Sequence, residues 1–105
     1  GLEVGGLYLS NAEQYFDYGD SYRTNVQALP FSDRGQVLHT LSWSSFGFAD
    51  GDYHYTTQAG TDFQRWLAET RIRRLPDMLQ YRKRTGTKGF STLGPPPEKL
   101  LRAER

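Results

Sequence analysis

Residues 36–58 read QVLHTLSWSSFGFADGDYHYTTQ, and this stretch decides the fold. Val37, His39, Leu41 and Trp43 alternate with Leu38, Thr40, Ser42 and Ser44, the period of two of a strand with one mostly apolar face. Past Ser44 and Ser45 the bulky residues shift to Phe46 and Phe48, and a β-bulge at the two serines returns Trp43, Phe46 and Phe48 to one face. Asp50 and Gly51 then signal a two-residue hairpin loop, because a type I′ turn needs positive φ at both positions. That loop pairs Phe48 with Tyr53, Gly47 with His54 and Phe46 with Tyr55. Two aromatic cross-strand pairs result, each worth a few tenths to about 1 kcal/mol.

Working outward, Thr61 and Gln64 have capping-box spacing, Asp62 suits the positive end of a helix dipole, and Arg71, Arg73 and Arg74 suit its negative end. A helix is therefore predicted over about 61–74. Phe63, Trp66, Leu67 and Thr70 form its inner stripe, with Arg65, Glu69, Ile72 and Arg73 outward. Pro76 opens a second short helix over about 76–84, with Met78, Leu79 and Tyr81 inward. Before the hairpin, Gly6–Leu9 reads as a short strand, Ser10 and Glu13 as a helical turn or loop edge, and Tyr22–Phe31 as a strand ended by Pro30. After Gly86 the glycines and Pro95, Pro96 and Pro97 predict an extended arm. The expected fold is α+β: a small bent antiparallel sheet packed by an amphipathic helix, in one domain over 1–85, with a Gly/Pro/basic arm over 86–105.

The order strand, strand, hairpin, amphipathic helix across Val37–Arg74 resembles the closing part of a pleckstrin-homology or phosphotyrosine-binding type domain. In such domains a final helix carrying a Trp closes a bent antiparallel barrel. The resemblance is one of topology, so it implies a fold and carries no site residues with it.

Charge is split along the chain. Residues 1–64 carry a net −6 and residues 65–105 a net +7, beneath a formal total of +1. Such asymmetry marks a half that meets an anionic or acidic surface. With 105 residues and 36% hydrophobic content, one modest core fits. The 14% of aromatic residues supply large buried area with polar handles. Absence of cysteine excludes disulfides and thiolate metal sites. With no apolar run of about 18 residues and no signal-peptide pattern, the chain is expected to be soluble or peripheral. Because it begins at Gly1, it is expected to be processed or cut from something longer.

His39 and His54 are the only histidines. As acid and base of a metal-independent nuclease, with Arg71 or Lys83 steadying a phosphate, they give the enzyme reading with most chemical support. Against it, the proposed pairing puts His39 on the apolar face and His54 on the opposite one, so a hydrogen-bonded core His39 and a surface His54 are expected instead. Asp50 and Asp52 are accounted for by the turn. Ser42, Ser44 and Ser45 have no base at motif spacing, and the glycines form no phosphate loop. The expectation is no catalytic residue, no metal, no cofactor and no small-molecule substrate.

The basic residues carry the binding expectation. Arg71, Arg73, Arg74, Arg82, Lys83, Arg84 and Lys88 crowd a short span with Asp77 as the only acid inside it, and arginine's planar donors suit phosphates and carboxylates. The competing account is a solvated helix face. Phe90, Leu93, Pro95, Pro96, Pro97, Leu100 and Leu101 are the expected docking residues of the arm, which orders most readily along a neighbour. The leading reading is a noncatalytic structural or accessory subunit whose partners are protein subunits of a larger complex. The alternative is a module binding RNA or DNA through residues 71–88, with exposed tyrosines stacking on bases. A peripheral adaptor meeting a membrane surface through anionic lipid headgroups comes third.

Overall fold

A computed structural model describes residues 2–42, 53–87 and 89–102. Five strands, β1 (Val4–Leu9), β2 (Phe31–Ser42), β3 (Tyr53–Ala59), β4 (Lys83–Arg84) and β5 (Phe90–Leu93), form one sheet. Its spatial order is β1-β2-β3-β5-β4. Among the described residues four helices accompany it: α1 (Asp20–Gln27), α2 (Gly60–Leu67), α3 (Leu75–Leu79) and α4 (Glu98–Arg102). A 3-10 turn, Asn11–Tyr15, follows β1, with the Ser10 hydroxyl accepting from the Ala12 N–H.

The class is α+β, as expected, and the hairpin arms and the amphipathic helix stand where the sequence put them. The sheet, however, is mixed and open. β1 pairs with β2 and β3 with β5 in parallel, while β2–β3 and β4–β5 are antiparallel. This departs from the antiparallel barrel implied by the pleckstrin-homology resemblance. The cause is β5: the segment read as an extended arm after Gly86 slots between β3 and β4, completing their pairing. For the same reason the second helix stops at Leu79, and Lys83 and Arg84 join the sheet instead of a helix.

Alternation divides the sheet into two faces. Val37, His39 and Leu41 of β2, His54, Thr56 and Gln58 of β3, and Ser91 and Leu93 of β5 point inward and are buried. Onto that face α2 lays Phe63, Trp66 and Leu67, the stripe expected of it. Val26 of α1 and Leu75, Met78 and Leu79 of α3 complete the core, with Leu100 of α4 against its rim. The Cβ position of Gly60 falls 2.2 Å from the Phe31 ring. Only a residue without a side chain admits that contact between α2 and β2.

Other boundaries moved. Tyr22–Phe31 is mostly helix: Tyr22 and Val26, four apart, share a helical face as readily as they alternate in a strand, and the core accepts the helix. The start of α2 is Gly60, and Gln64 does not serve a capping box with Thr61. It donates to the carbonyls of Val26, at 2.9 Å, and Leu29, at 2.8 Å, tying down the end of α1. Because α2 ends at Leu67, Glu69 and Ile72 turn inward and are buried instead of facing out. The hairpin register also differs. Tyr53 pairs with Ser42, His54 with Leu41 and Tyr55 with Thr40, where the expected loop pairs Tyr53, His54 and Tyr55 with Phe48, Gly47 and Phe46. The expected bulge at Ser44 and Ser45 and the turn at Asp50 and Gly51 lie outside the described residues.

Candidate functional site

The corrected register brings both histidines to the inner face, where the sequence reading had separated them. His39 Nδ1 lies 2.7 Å from Glu13 Oε1, and His39 Nε2 lies 2.6 Å from the Gln58 side-chain oxygen. The Tyr18 hydroxyl donates to the other Glu13 oxygen at 2.6 Å. Phe63 meets both the Tyr18 and His39 rings edge-on. Tyr18, Glu13, His39 and Gln58 form one continuous polar line, and each is at most 5% exposed. Burial, followed by the neighbouring Glu13 charge, pushes the Tyr18 phenol well above its ordinary pKa; Tyr22, stacked on it with centroids 5.3 Å apart, moves the same way for the same reasons.

A second polar group sits further along the face. Ser91 Oγ is 2.9 Å from His54 Nε2 and 2.7 Å from Thr56 Oγ1. A hydroxyl on an imidazole is the pairing used to activate a nucleophile, yet Ser91 is 1% exposed and Thr56 fully enclosed. Both groups therefore satisfy buried polar atoms in a core that would otherwise leave them unpaired. Among the described residues no three His, Asp or Glu side chains gather where a metal ion could be held.

The six described basic candidates do not form one cluster. Arg71 is turned onto its own chain: its Nε donates to Glu69 at 2.9 Å, and a terminal nitrogen donates to the Leu100 carbonyl. The Arg71 hydrogen bond holds Glu69 below the usual carboxylate range, against the opposing effect of burial. Arg74 makes a surface ion pair with Asp17 at 3.5 Å, and Arg73 is exposed beside it. Arg82 is half-buried and donates to the Leu79 carbonyl; desolvation, with a smaller push from Arg84, lowers its pKa. Lys83 and Arg84 are exposed on β4. The pair at 73–74 and the group at 82–84 thus flank the two ends of α3, a helix about 8 Å long. Lys88 lies outside the described residues.

The expected docking arm is spent largely on the chain itself. Leu93 and Pro96 are buried, Leu100 packs on the core, and the Trp66 indole N–H donates to the Gly94 carbonyl at 2.7 Å. Pro97 is half-buried and Pro95 exposed. Of Leu101 only its place in α4 is described. Phe90 faces the other way, toward the outer side of the sheet.

That outer side is the surface the sequence reading missed, although the alternation of β3 held the clue: if His54, Thr56 and Gln58 face in, Tyr55 and Thr57 face out. Register places Tyr8, Leu38, Thr57, Thr92 and Lys83 in one row across all five strands, with Thr40, Tyr55 and Phe90 in the next. Tyr8 is 62% exposed and Tyr55 38%, Leu38, Thr57, Phe90 and Thr92 are partly exposed, and Thr40 is buried at 5%. Each of the four described helices instead sends residues to the inner core. The outer face is aromatic, threonine-rich and, until Lys83 at its margin, uncharged.

A family model described as "Domain of unknown function (DUF7790)" matches residues 1–94, so the chain belongs to that family, and the matched span takes in all five strands. No curated protein matches the chain.

Proposed function

We propose that this member of the DUF7790 family is a noncatalytic accessory subunit of a larger assembly, docking on a protein partner through the outer face of its sheet. The observation that carries the reading is the pair Tyr55 and Phe90 beside the row from Tyr8 to Lys83: aromatic side chains on central strands, opposite the described helices. Interface cores are enriched in aromatic residues and depleted of charge, and this face has that composition. The imidazoles and hydroxyls with catalytic potential are enclosed, which favours binding over chemistry. The test uses the full chain as bait against extract from its source. Tyr55→Ser should abolish recovery of the specific partner while leaving the thermal midpoint nearly unchanged, and undiminished recovery by this variant would refute the assignment.

A second reading has its own support. Lys83 ends the outer row and Arg84 follows it on β4, so phosphates of a single-stranded RNA or DNA could lie along that edge while bases stack on Tyr55. Counterion release would then make affinity fall steeply with salt. Lys83→Glu separates the readings: it should weaken oligonucleotide binding across a salt series and leave protein docking nearly intact.

A further inference from the structure

The two edges of the sheet are built differently. β4 ends one side with Lys83 and Arg84, charges of the kind that discourage another strand from pairing. At the opposite side, β1 presents Val4, Gly5, Gly6, Leu7, Tyr8 and Leu9, a longer strand with no charge and no proline.

Which backbone groups β1 offers follows from the ladders. The Tyr55 N–H donates to the Gly89 carbonyl at 2.9 Å, so Tyr55 turns its polar groups to β5 and Thr56 turns its own to β2. Across the antiparallel pair His39 then faces β3, while Gln36 and Leu38 face β1. β1 shifts register between Val4 and Gly6, and beyond the shift Leu7 is level with Val37 and Tyr8 with Leu38. Level residues of parallel strands point the same way, so Leu7 and Leu9 face β2, and the N–H and C=O of Gly6 and Tyr8 face the open edge.

The glycines of β1 have no local reason to be glycine. Neither has a positive φ, and nothing stands within 4 Å of either Cβ position, in contrast to Gly35 and Gly60. Glycine weakens a strand interior and marks places where another backbone comes close.

We propose that β1 pairs antiparallel with β1 of a second copy of this chain across a two-fold axis at Leu7, joining the two sheets edge to edge. In that register Leu7 faces Leu7 of the partner subunit, and Gly5 faces Leu9 of the partner subunit. These are the non-hydrogen-bonded pairs, where side chains come closest. Between them, Tyr8 faces Gly6 of the partner subunit, and these two, whose N–H and C=O groups point outward, exchange hydrogen bonds directly. On the outer side this pair lays an aromatic ring over a bare backbone, an arrangement that repairs glycine in strands. Each bulky side chain meets a glycine or its own symmetry mate, and a single isologous patch suffices. An uncharged edge brings no like-charge repulsion to the contact.

Sedimentation velocity of the full chain over a concentration series tests this. A reversible dimer is expected. Gly6→Ile should raise the dimer dissociation constant at least about tenfold while leaving the thermal midpoint of the dilute monomer unchanged or higher, since β-branched residues suit strands and nothing crowds the site. Tyr8→Lys, at an exposed position, should weaken the dimer likewise, and amide exchange at Gly6 and Tyr8 should slow as concentration rises. A chain that stays monomeric throughout overturns the proposal, as does a dimer indifferent to both substitutions. Tyr55→Ser should leave the dimer intact, so this result is separable from docking on the outer face.

Discussion

The Tyr18 hydroxyl and the His39 imidazole take opposite oxygens of one buried carboxylate, Glu13, at 2.6 and 2.7 Å. The 3-10 turn, the segment leading into α1 and strand β2 are thereby tied at one point beneath Phe63. A buried carboxylate with such partners stabilises only while all are present. Glu13→Gln removes the buried charge and one of the two acceptor oxygens, so Tyr18 and His39 no longer both have a carboxylate oxygen, and a loss of about 3 kcal/mol is expected. Urea unfolding should show a lower midpoint with an unchanged slope.

Burial of the two tyrosines, with the same carboxylate beside them, gives the protein an alkaline limit. Tyr18 and Tyr22 have pKa values raised above the ordinary phenol value of 10.0, chiefly by burial and then by Glu13. In the unfolded chain these phenols release their protons first. Their contribution is thus fully present below about pH 10 and is lost as pH rises from there through the folded values. Thermal midpoints should fall across that window, and Tyr18→Phe, though less stable at neutral pH, should fall less steeply. Equal slopes for the two proteins would contradict this account.

Gly60 is fixed by Phe31. A methyl group at Gly60 would meet three atoms of the Phe31 ring at 2.2, 2.4 and 2.6 Å, too close for the ring to escape without opening the α2–β2 contact. Gly60→Ala should cost about 1–3 kcal/mol by overpacking. Gly86→Ala, where nothing stands within 4 Å, should change the thermal midpoint little.

Arg23 closes the end of α2 from a distant part of the chain. Its guanidinium donates to the carbonyls of Leu67 at 2.8 Å and Glu69 at 3.2 Å, and also to Ile72, while Nε donates to Tyr18 at 3.1 Å. These carbonyls belong to the helix end and the turn beyond it, where no further helical turn supplies donors. Arg23→Lys keeps the charge but loses the planar fork. It should destabilise the fold by about 2 kcal/mol, nearly as much as Arg23→Met, and comparable midpoints for Arg23→Lys and the unaltered chain would refute the role.

How much of this was legible depended on range. The spacing of Phe63, Trp66 and Leu67 admits only a helix, and the alternation in β2 and β3 only strands, so both were readable from local pattern. Tyr22 and Val26 satisfy either period, and only the core decided between them. Register was unreadable because two alternating strands fit one another in more than one pairing. β5 is four residues between glycines, and nothing in FSTL announces that it pairs with Tyr55 and Thr57, more than thirty positions earlier. Clustering in sequence told that Arg71, Arg74 and Arg82 are close along the chain, but not that Leu100, Asp17 and Leu79 occupy them.

β5 also decides where the folding unit ends. It lies between β3 and β4, pairing Phe90 with Tyr55, Leu93 with Gln58 and Thr92 with Lys83. A chain stopped at Thr85, at the boundary suggested by composition, leaves β3 as an unpaired edge with Thr56 losing its Ser91 partner. It also strips Leu93 from the core and leaves the Trp66 indole N–H without the Gly94 carbonyl. Lost burial of Leu93 alone is worth about 2 kcal/mol, and a domain this small holds only about 5–10 kcal/mol in total. The 1–85 fragment should therefore show a collapsed amide proton spectrum and no cooperative thermal transition. A chain stopped after Pro97 keeps every strand and the Gly94 contact, and should fold with a lowered midpoint. A well-dispersed spectrum from 1–85 would mean that the C-terminal stretch is an appendage after all, and the sheet order given above would have to be abandoned.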